Sequence, residues 1–326
     1  MPPVDAMGRD RRRTRFARRA PASKVDQHAI ARPAAYAVAA RAFASVADVP
    51  TVVLTGATRG IGRAAAIELA RRGAELALVG RDSGRVRATA DEARSVGGGA
   101  PVHEHVADLA RLDEVRRLAS ELLDRHPRID VLANNAGAMF SSRHVTPDGF
   151  EQTFALNHLA PFLLTNLLLD RLVAARARVV TTASDAHKGG VVDLDDLNAE
   201  RGRFRSGRVY GTSKLCNVLF TRELQRRRPE LAANCFHPGV IRTGFGKNDG
   251  ALVRVGITIA GLFMGSPDSG ARPLVWLALD PAAGELRGQY VEKERPVAPS
   301  AAARDDVLAA ALWERSEALT GVATVA

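Results

Sequence analysis

From about residue 48 onward, the chain alternates short apolar runs with longer amphipathic segments. Apolar runs that end at Gly, Asp or Asn are typical of buried strands, and segments with apolar residues three and four positions apart are typical of helices. Because such strands are separated by helices of about a dozen residues, crossover connections are required. The pattern predicts an α/β fold, a doubly wound parallel sheet with helices on both faces. The predicted strands are 51–56, 74–81, 101–109, 129–137, 177–184 and 231–239, and the predicted helices are 61–73, 84–96, 111–125, 148–173 and 208–228.

Two long segments without a strand pattern, 185–207 and 240–265, directly follow predicted strands. In an open α/β sheet, ligands bind beyond the carboxyl ends of the strands. Ordered loops of this length are usually functional. We therefore expect a ligand site at this edge of the sheet, within one domain that covers residues 48–326.

Positive charge is concentrated at the start of the chain. The net charge is +10 over 326 residues, and residues 1–48 hold ten Lys and Arg against four Asp. An arginine-rich stretch with interspersed Ala and Pro buries too little apolar surface to become ordered, so residues 1–47 are predicted to be a disordered basic extension. Weak contact with nucleic acid, attachment to a membrane surface and a start codon placed too far upstream are alternative explanations of the extension. No nucleic-acid partner is expected for the rest of the chain.

Cysteine usage and hydropathy favour a cytoplasmic location. The two cysteines, Cys216 and Cys235, lie outside any CxxC or Cys/His motif, so neither a disulfide framework nor a metal site is predicted. The most apolar segment, 252–265, has fourteen residues including Arg254, which is too short for a transmembrane helix. A soluble protein without a secretory signal is expected, with peripheral membrane association as the alternative.

A glycine-rich turn, TGATRGIG at 55–62, lies between the first predicted strand and the first predicted helix. Glycines at this spacing allow a sharp turn and let a pyrophosphate approach the backbone. The helix N-terminus supplies free N–H groups and a positive dipole end. The turn therefore predicts a dinucleotide site of the Rossmann type. Its predicted cofactor contacts are Gly56, Thr58, Arg59, Gly60, Ile61 and Gly62.

The charges beside this turn indicate which dinucleotide binds. Sites that prefer NAD place a carboxylate at the end of the second strand, where it bonds the ribose 2′-hydroxyl. Here that strand ends in Arg81 followed by Asp82, and Arg59 lies within the turn. Two guanidinium groups favour a 2′-phosphate, so NADP(H) is predicted. The alternative is that Asp82 binds the ribose of NAD(H) while Arg81 faces solvent.

Polar residues also end the third and fourth predicted strands. Asp108 could bond an adenine amino group or nearby amides, and NNAG at 134–137 could bridge strand ends beneath a nicotinamide ribose. Asp and Asn are equally common in plain strand-end turns. Their presence at successive strand ends favours one cofactor crevice. Its predicted residues are Asp108, Leu109, Asn134, Asn135, Ala136 and Gly137.

Four residues around the fifth predicted strand form a candidate catalytic set. Ser184 ends this strand, and Tyr210 and Lys214 lie one turn apart on the same face of the next predicted helix. A nearby ammonium favours the phenolate, so Lys214 is expected to lower the pKa of Tyr210 and make proton transfer feasible. Ser184 is expected to hold a carbonyl oxygen. Asn157, on the preceding long helix, is expected to bind a water that links Lys214 to solvent.

Taken in order, these motifs resemble the short-chain dehydrogenase/reductase superfamily over about residues 50–320. The likeness is greatest to its retinol-dehydrogenase-like group, which includes the WW-domain oxidoreductase, and HPGVIRT at 237–243 and LWERSEALTG at 312–321 contribute to it. The resemblance implies that Tyr210 is the general acid/base and that Lys214 lowers its pKa and holds the nicotinamide ribose. It also implies that Ser184 orients the substrate and Asn157 supports a proton relay. Further implied cofactor contacts are Pro238, Gly239, Val240 and Thr243.

Two features depart from this group. Ala183 stands where relatives often carry a second serine, and the N-terminal extension has neither a hydrophobic anchor nor a WW domain. In this superfamily the long helices, here 148–173 and 208–228, commonly form dimer faces. The resemblance therefore implies a homodimer, with a monomer as the alternative.

The predicted function is an NAD(P)-dependent oxidoreductase that interconverts an alcohol and its ketone or aldehyde on a lipophilic small molecule. The alternative is a non-catalytic regulatory protein that senses NADP(H). His237 is expected to position backbone rather than bind substrate. His187 and Lys188 are expected to be solvated loop residues, and DLDDLN at 193–198 a solvated turn rather than a metal site.

Overall fold

The computed structural model describes residues 49–239 and 266–322. The predicted basic extension, the loop 240–265 and the expected cofactor contacts Val240 and Thr243 lie outside the described residues. Within the described ranges, no helix combines the length and the hydropathy that crossing a bilayer requires.

The strands of the described residues form one mostly parallel sheet. They are β1 (Thr51–Thr55), β2 (Glu75–Gly80), β3 (Val102–Val106), β4 (Val131–Asn134), β5 (Arg178–Thr182), β6 (Ala232–His237), β7 (Tyr290–Glu292) and β8 (Arg295–Pro296). Their order across the sheet is β3-β2-β1-β4-β5-β6-β7-β8, and only β8 is antiparallel to its neighbour. Because β1 pairs with both β2 and β4, the strand order reverses beside β1. That reversal opens a crevice at the carboxyl ends of the strands, where ligands bind in such sheets.

Helices cover both faces of the sheet. They are α1 (Gly60–Arg71), α2 (Ser83–Val96), α3 (Leu112–Arg125), α4 (Gln152–Phe154), α5 (Ala160–Leu167), α6 (Leu169–Ala174), α7 (Ser206–Arg227), α8 (Pro267–Leu279) and α9 (Asp306–Thr320). Successive residues of β1 point to opposite faces, so Val53 packs in the core with α3, α5 and α7, while Val52 and Leu54 pack in the core with α1, α2 and α8. The doubly wound fold predicted from the sequence is confirmed.

The helix predicted at 148–173 is not continuous. A π-helical segment, Ala155–Leu159, separates α4 from α5, and a further break separates α5 from α6. Pro161 has no amide hydrogen, so the carbonyl of Asn157 cannot receive the usual α-helical bond from it. The wider π turn accommodates this interruption, and such segments are frequent at functional sites. Asn157 lies within it.

The C-terminal part of the chain adds elements that the sequence pattern did not predict. β7 and β8 extend the sheet, and α9 packs on α5 and α7 through Trp313, whose ring lies 4.9 Å from Phe162 and 5.8 Å from Phe220 between centroids. α9 therefore covers part of the helix surface that the resemblance assigns to a dimer. The homodimer stays a prediction, and this face is available to a partner only where α9 leaves it open.

Candidate active site

The glycine-rich turn after β1 is shaped by close backbone contacts. Gly56 and Gly60 have φ angles of +67° and +49°, which favour glycine. A Cβ on Gly56 would lie 2.8 Å from the Cα of Ala136, and a Cβ on Gly62 would lie 2.0 Å from the carbonyl oxygen of Gly56. Side chains at these two positions would displace the turn from the end of β4.

The start of α1 suits an anionic group. Its N-cap residue, Arg59, makes no side-chain cap bond, and the first turn contains no acidic residue. The first N–H groups of a helix have no partner within the helix, and together with the helix dipole they favour a phosphate. The residues of the turn therefore fit the pyrophosphate of a dinucleotide, as the sequence predicts.

The NNAG segment is fastened to β1 by Thr55, a residue that the sequence analysis did not single out. The Thr55 hydroxyl accepts hydrogen bonds from the amides of Asn135 at 2.9 Å and Ala136 at 3.0 Å. The Asn135 side chain donates to the Thr55 carbonyl at 2.9 Å and accepts from the Thr182 hydroxyl at 3.3 Å. Asn134 is turned into the protein, where its side chain donates to the Thr165 hydroxyl at 3.1 Å. Asn135 therefore bridges the ends of β1 and β5, whereas Asn134 fastens the end of β4 to α5.

At the end of β2, the arginine and the carboxylate differ in their hydrogen bonding. Arg59, Arg81 and Asp82 are all exposed, and the Asp82 carboxylate accepts the Arg85 amide at 2.9 Å and caps α2. Asp82 is thereby used as a helix cap. Thr58 packs against the end of the same strand, because a Cβ on Gly80 would lie 2.6 Å from its methyl carbon.

Asp108 and Leu109 follow β3 at the same edge of the sheet. The Asp108 carboxylate is half-buried and accepts the Ala110 amide at 3.1 Å, while Leu109 is buried. On the opposite side of the crevice, Pro238 and Gly239 follow β6, and Gly239 has a φ of +85°. The predicted cofactor residues that the structure describes thus lie at the carboxyl ends of the parallel strands, around the crevice.

The candidate catalytic residues meet where β5 ends and α7 begins. Tyr210 lies close enough to the Ser184 side chain for that side chain to influence its pKa. Lys214, one turn further along α7, is buried, and its ammonium donates to the Thr182 carbonyl at 2.8 Å. The Lys214 nitrogen lies 5.6 Å from the centre of the Tyr210 ring. Gly137 lies beside this group, since a Cβ there would be only 3.4 Å from the Lys214 nitrogen.

Burial shifts the pKa of both members of the Tyr–Lys pair. It raises the pKa of Tyr210, although the hydrogen bond with Ser184 acts in the opposite direction. It lowers the pKa of Lys214 from 10.5 to about 8. The sequence analysis expected Lys214 to lower the pKa of Tyr210, and that expectation is not met in this structure, where burial is the largest influence and Ser184 is the one that opposes it.

The Asn157 side chain makes hydrogen bonds to other residues of the protein. Its side chain accepts the Ala138 amide at 2.9 Å, donates to the Ala138 carbonyl at 2.9 Å, and donates to the Ser213 hydroxyl at 2.9 Å. Ser213 in turn donates to the Tyr210 carbonyl at 2.8 Å. Both amide hydrogens of Asn157 are therefore used to hold the NNAG loop against α7. The side chain therefore positions this loop, and the expected role of Asn157 in binding a water stays a prediction.

A buried layer of side chains supports Ser184 from behind. His187 is fully buried, and its Nδ1 donates to the Ser184 carbonyl at 2.8 Å, while its Nε2 accepts the Ser300 amide at 3.1 Å. The expectation that His187 is solvated is wrong, because these two backbone bonds draw its ring inward. His237 accepts the Asp185 amide at 3.3 Å, which agrees with its expected role in positioning backbone.

Tyr290, on β7, completes this layer and was not found from the sequence. Its ring lies 4.8 Å from that of His187, and its hydroxyl donates to Asp185 at 3.3 Å. Lys188 is exposed and pairs with Asp185 at 2.7 Å, as expected for a solvated loop residue.

Three comparisons show which known proteins this chain is similar to. Residues 50–251 match the family model described as short chain dehydrogenase. The chain is 46% identical to the candidate daunorubicin C-13 ketoreductase DnrU of Streptomyces sp. (strain C5), over 83% of this chain and 92% of that protein. It is 39% identical to retinol dehydrogenase 13 of Homo sapiens, over 85% of this chain and 87% of the relative.

A solved structure also shares the fold. The alcohol dehydrogenase of the archaeon Thermococcus sibiricus, determined in complex with 5-hydroxy-NADP, superposes with a TM-score of 0.58. Its sequence is 25% identical, and the match covers 77% of this chain and all of that one, 100%.

Proposed function

The chain belongs to the short-chain dehydrogenase family, and from that premise we propose that it is an NADP(H)-dependent oxidoreductase acting on a lipophilic carbonyl or alcohol. Its relatives support interconversion of an alcohol and its ketone or aldehyde as the general reaction. The observation that carries the proposal is that Tyr210 and Ser184 lie close enough to interact, with the Lys214 ammonium one helical turn away. This group lies at the carboxyl end of β5, beside the glycine-rich turn.

The roles of the side chains follow from this arrangement. The nicotinamide, when bound, supplies or accepts the hydride at the carbonyl carbon. The Tyr210 and Ser184 hydroxyls, which lie near each other, both donate to the carbonyl oxygen. In the reducing direction, Tyr210 transfers its proton to that oxygen as negative charge develops on it. The Lys214 ammonium stabilises the phenolate that remains, and in the oxidising direction the proton returns to Tyr210.

Because Tyr210 is buried, its proton transfer depends on the charge that develops on the substrate oxygen. The pKa of Tyr210 is raised, so the phenol carries its proton at neutral pH and is ready to act as an acid. An alkoxide forming within hydrogen-bond distance is far more basic than a resting carbonyl, so Tyr210 gives up its proton only as negative charge develops on that oxygen. Lys214 is anchored by the Thr182 carbonyl, and its position does not depend on the substrate.

The preference for NADP(H) rests on the surroundings of Arg59, Arg81 and Asp82. The Asp82 carboxylate is used as the cap of α2, and both guanidinium groups are exposed beside the turn that fits the pyrophosphate. This arrangement favours a 2′-phosphate over a free ribose hydroxyl. The alcohol dehydrogenase from Thermococcus sibiricus, which was determined with 5-hydroxy-NADP, is consistent with this preference.

We expect Arg81→Ala to weaken NADPH binding about tenfold, the loss of one charge-assisted contact, and to leave NADH binding nearly unchanged. Arg71→Ala is the matched control, because Arg71 lies at the far end of α1. Fluorescence titration with both cofactors measures the four dissociation constants. A wild-type protein that binds NADH more tightly than NADPH would contradict the preference.

The proposed substrate is a bulky, mainly apolar carbonyl compound. The two relatives are named for daunorubicin and retinol, whose skeletons are fused rings and a long polyene. In this chain, the exposed side chain of Val191 lies beside the start of α7, where its backbone bonds the Thr212 hydroxyl at 3.0 Å and 3.3 Å. An exposed apolar side chain beside the helix that carries Tyr210 suits a lipophilic substrate.

The decisive experiment is Tyr210→Phe, assayed on a panel of polycyclic ketones and polyene aldehydes with NADPH. Removing the proton donor is expected to lower turnover at least about 100-fold, while NADPH affinity changes less than about threefold. Tyr290→Phe removes the hydroxyl of the other described tyrosine, which lies behind Ser184, and is expected to lower turnover less than about tenfold.

Unchanged turnover in Tyr210→Phe would overturn the mechanism. If the wild-type protein binds NADPH but reduces no carbonyl and oxidises no alcohol of the panel, the alternative of a non-catalytic NADP(H) sensor is favoured.

A further inference from the structure

A cluster of histidines and carboxylates lies at the opposite edge of the sheet from the candidate active site. Glu75 begins β2, His103 is the second residue of β3, and His126 follows directly after α3. Ala77 pairs with His103 in the sheet and packs in the same core as α3, so alternation along the strands places Glu75 and His103 on the face that α3 covers. The three residues thus meet where the amino ends of two strands approach the end of a helix.

The potential ligand atoms of these residues are close together. Glu75 Oε1 lies 3.4 Å from His103 Nε2 and 3.5 Å from His126 Nδ1. One ligand atom from each residue lies within 4.8 Å of the others. Two bonds from Zn²⁺ to nitrogen or oxygen, at the usual lengths of about 2.0–2.2 Å, place neighbouring tetrahedral ligands about 3.3–3.6 Å apart. Both distances from Glu75 fall in that range.

A chain of hydrogen bonds determines which nitrogen of His126 carries its hydrogen. Glu121 is paired with Arg117 and Arg125, so its carboxylate is an acceptor, and His105 donates to it from Nδ1 at 2.9 Å. A neutral His105 then accepts at Nε2, where His126 Nε2 lies 3.1 Å away and must be the donor. The hydrogen of His126 is therefore on Nε2, and its Nδ1 presents a lone pair.

This lone pair faces a carboxylate oxygen inside the protein. The His126 side chain is fully buried, its Nδ1 has no hydrogen-bond partner among the described residues, and Glu75 Oε1 lies 3.5 Å from it. Two lone pairs facing each other in a buried place repel unless a cation lies between them.

We propose that Glu75, His103 and His126 bind one Zn²⁺-class divalent cation at the edge formed by β2 and β3. Two imidazoles and one carboxylate are a ligand set that zinc accepts with a fourth position open. His103 is partly exposed, which leaves a path for the ion and a place for a water ligand. His105 and Glu121 would orient His126 as partners behind the ligand, as carboxylates commonly do for zinc-bound histidines.

The position of this site indicates a structural role. It joins the outer strand β3 to β2 and to the end of α3, whereas Tyr210 and Ser184 lie at the carboxyl ends of the strands. An ion that binds the folded chain but not the unfolded one raises stability by mass action. We therefore expect zinc to raise the thermal midpoint without changing turnover. The sequence analysis predicted no metal ligands, since the three residues come from separate elements and form no recognisable motif.

The test uses the full-length protein with any affinity tag removed. After dialysis against Zn²⁺ and then against buffer, elemental analysis is expected to find one zinc per chain, and competition with a coloured chelator gives the affinity. His103→Ala and Glu75→Gln each remove one of three ligands and should weaken binding by more than the roughly 10–100-fold that outer partners contribute. His144→Ala is the matched control, because that histidine is exposed and bonds Ser142 outside the cluster.

Further readouts separate this proposal from the proposed enzymatic function. Tetrahedral Co²⁺ in place of zinc should give visible absorption bands that His103→Ala abolishes, and NADPH binding shows that each variant is folded. The proposal is overturned if the protein retains no zinc, or if the two ligand variants bind zinc as tightly as wild type does. Loss of turnover on zinc removal would overturn the structural role, while absence of turnover in every form would bear only on the enzymatic proposal.

Discussion

Each half of α7 buries one charged side chain, and the two side chains differ in whether opposite charges lie beside them. In the first half, Lys214 is 3% exposed and bonds only the Thr182 carbonyl, with no carboxylate within ion-pair distance among the described residues. In the second half, the Glu223 side chain is 1% exposed and accepts from Arg226 at 2.8 Å and from Arg227 at 2.7 Å.

The difference follows from what each half does. An unpaired buried ammonium is unfavourable for stability, but a carboxylate beside Lys214 would cancel the positive potential that Tyr210 needs as a phenolate. Glu223 does not have to stabilise a phenolate. Arg227, one of the two arginines that pair with it, links α7 to α9, since its guanidinium lies 5.0 Å from the centre of the Trp313 ring. One helix thus combines a destabilised functional end with a stabilised structural end.

The largest effect on stability is expected from Trp313→Ala. The Trp313 ring is 2% exposed and packs on Phe162, Phe220 and Arg227, so its removal leaves a cavity between α9 and α7. We expect a loss of about 3–5 kcal/mol in the free energy of unfolding, measured by urea denaturation. Leu308→Ala, at a partly buried position of the same helix, should lose clearly less. Equal losses would mean that Trp313 is no anchor for the second half of α7.

Lys214→Met tests the first half of α7 and is expected to lower turnover but raise stability. Turnover should fall about 100–1,000-fold, because the phenolate loses its cation. Burial lowers the pKa of Lys214 from 10.5 to about 8, so removing the charge should raise the stability of the cofactor-free protein at about pH 7 by up to about 3 kcal/mol.

The pH dependence supplies the control for this variant. Between about pH 8 and 10.5 the unfolded wild type binds more protons at this lysine than the folded form does, so wild-type stability rises with pH. The advantage of Lys214→Met should shrink across that window and vanish above it. Lys293→Met, at an exposed turn position, should change neither stability nor turnover. If the stability gain of Lys214→Met did not depend on pH, burial of the lysine charge could not be its cause.

The strands that are long and buried could be predicted from the sequence. The run Thr51–Thr55 is buried at every position, so its uninterrupted apolar character predicted β1 directly. β7 has only three residues, which is too short for any alternation to appear. The π-helical segment around Asn157 was missed because an extra residue in one turn barely alters the apolar character of the surrounding sequence.

The candidate site shows the same limit at the level of side chains. Tyr210, Lys214 and Ser184 were found because proton chemistry requires those residue types at a set spacing. Thr55 and Tyr290 were missed, since each acts through contacts between residues far apart in sequence, such as the bond from the Asn135 amide to Thr55. Burial, which governs the pKa of Tyr210, is likewise a property of the folded chain.

Glu223→Gln is the mildest change and tests the paired end of α7. It keeps the shape of the side chain but removes its charge, so the bonds from Arg226 and Arg227 weaken. We expect a loss of roughly 1–3 kcal/mol in the free energy of unfolding, with turnover unchanged.

Although burial raises the pKa of Glu223, the two arginine bonds outweigh it and lower the pKa overall. The contribution of Glu223 is therefore present above the ordinary glutamate pKa and is lost as pH falls through the folded value. The stability difference between wild type and variant should disappear in acid, whereas Glu230→Gln, at an exposed position, should show none at any pH. A difference that persists in acid would show that shape rather than charge makes Glu223 stabilising, and the contrast with Lys214 would fail.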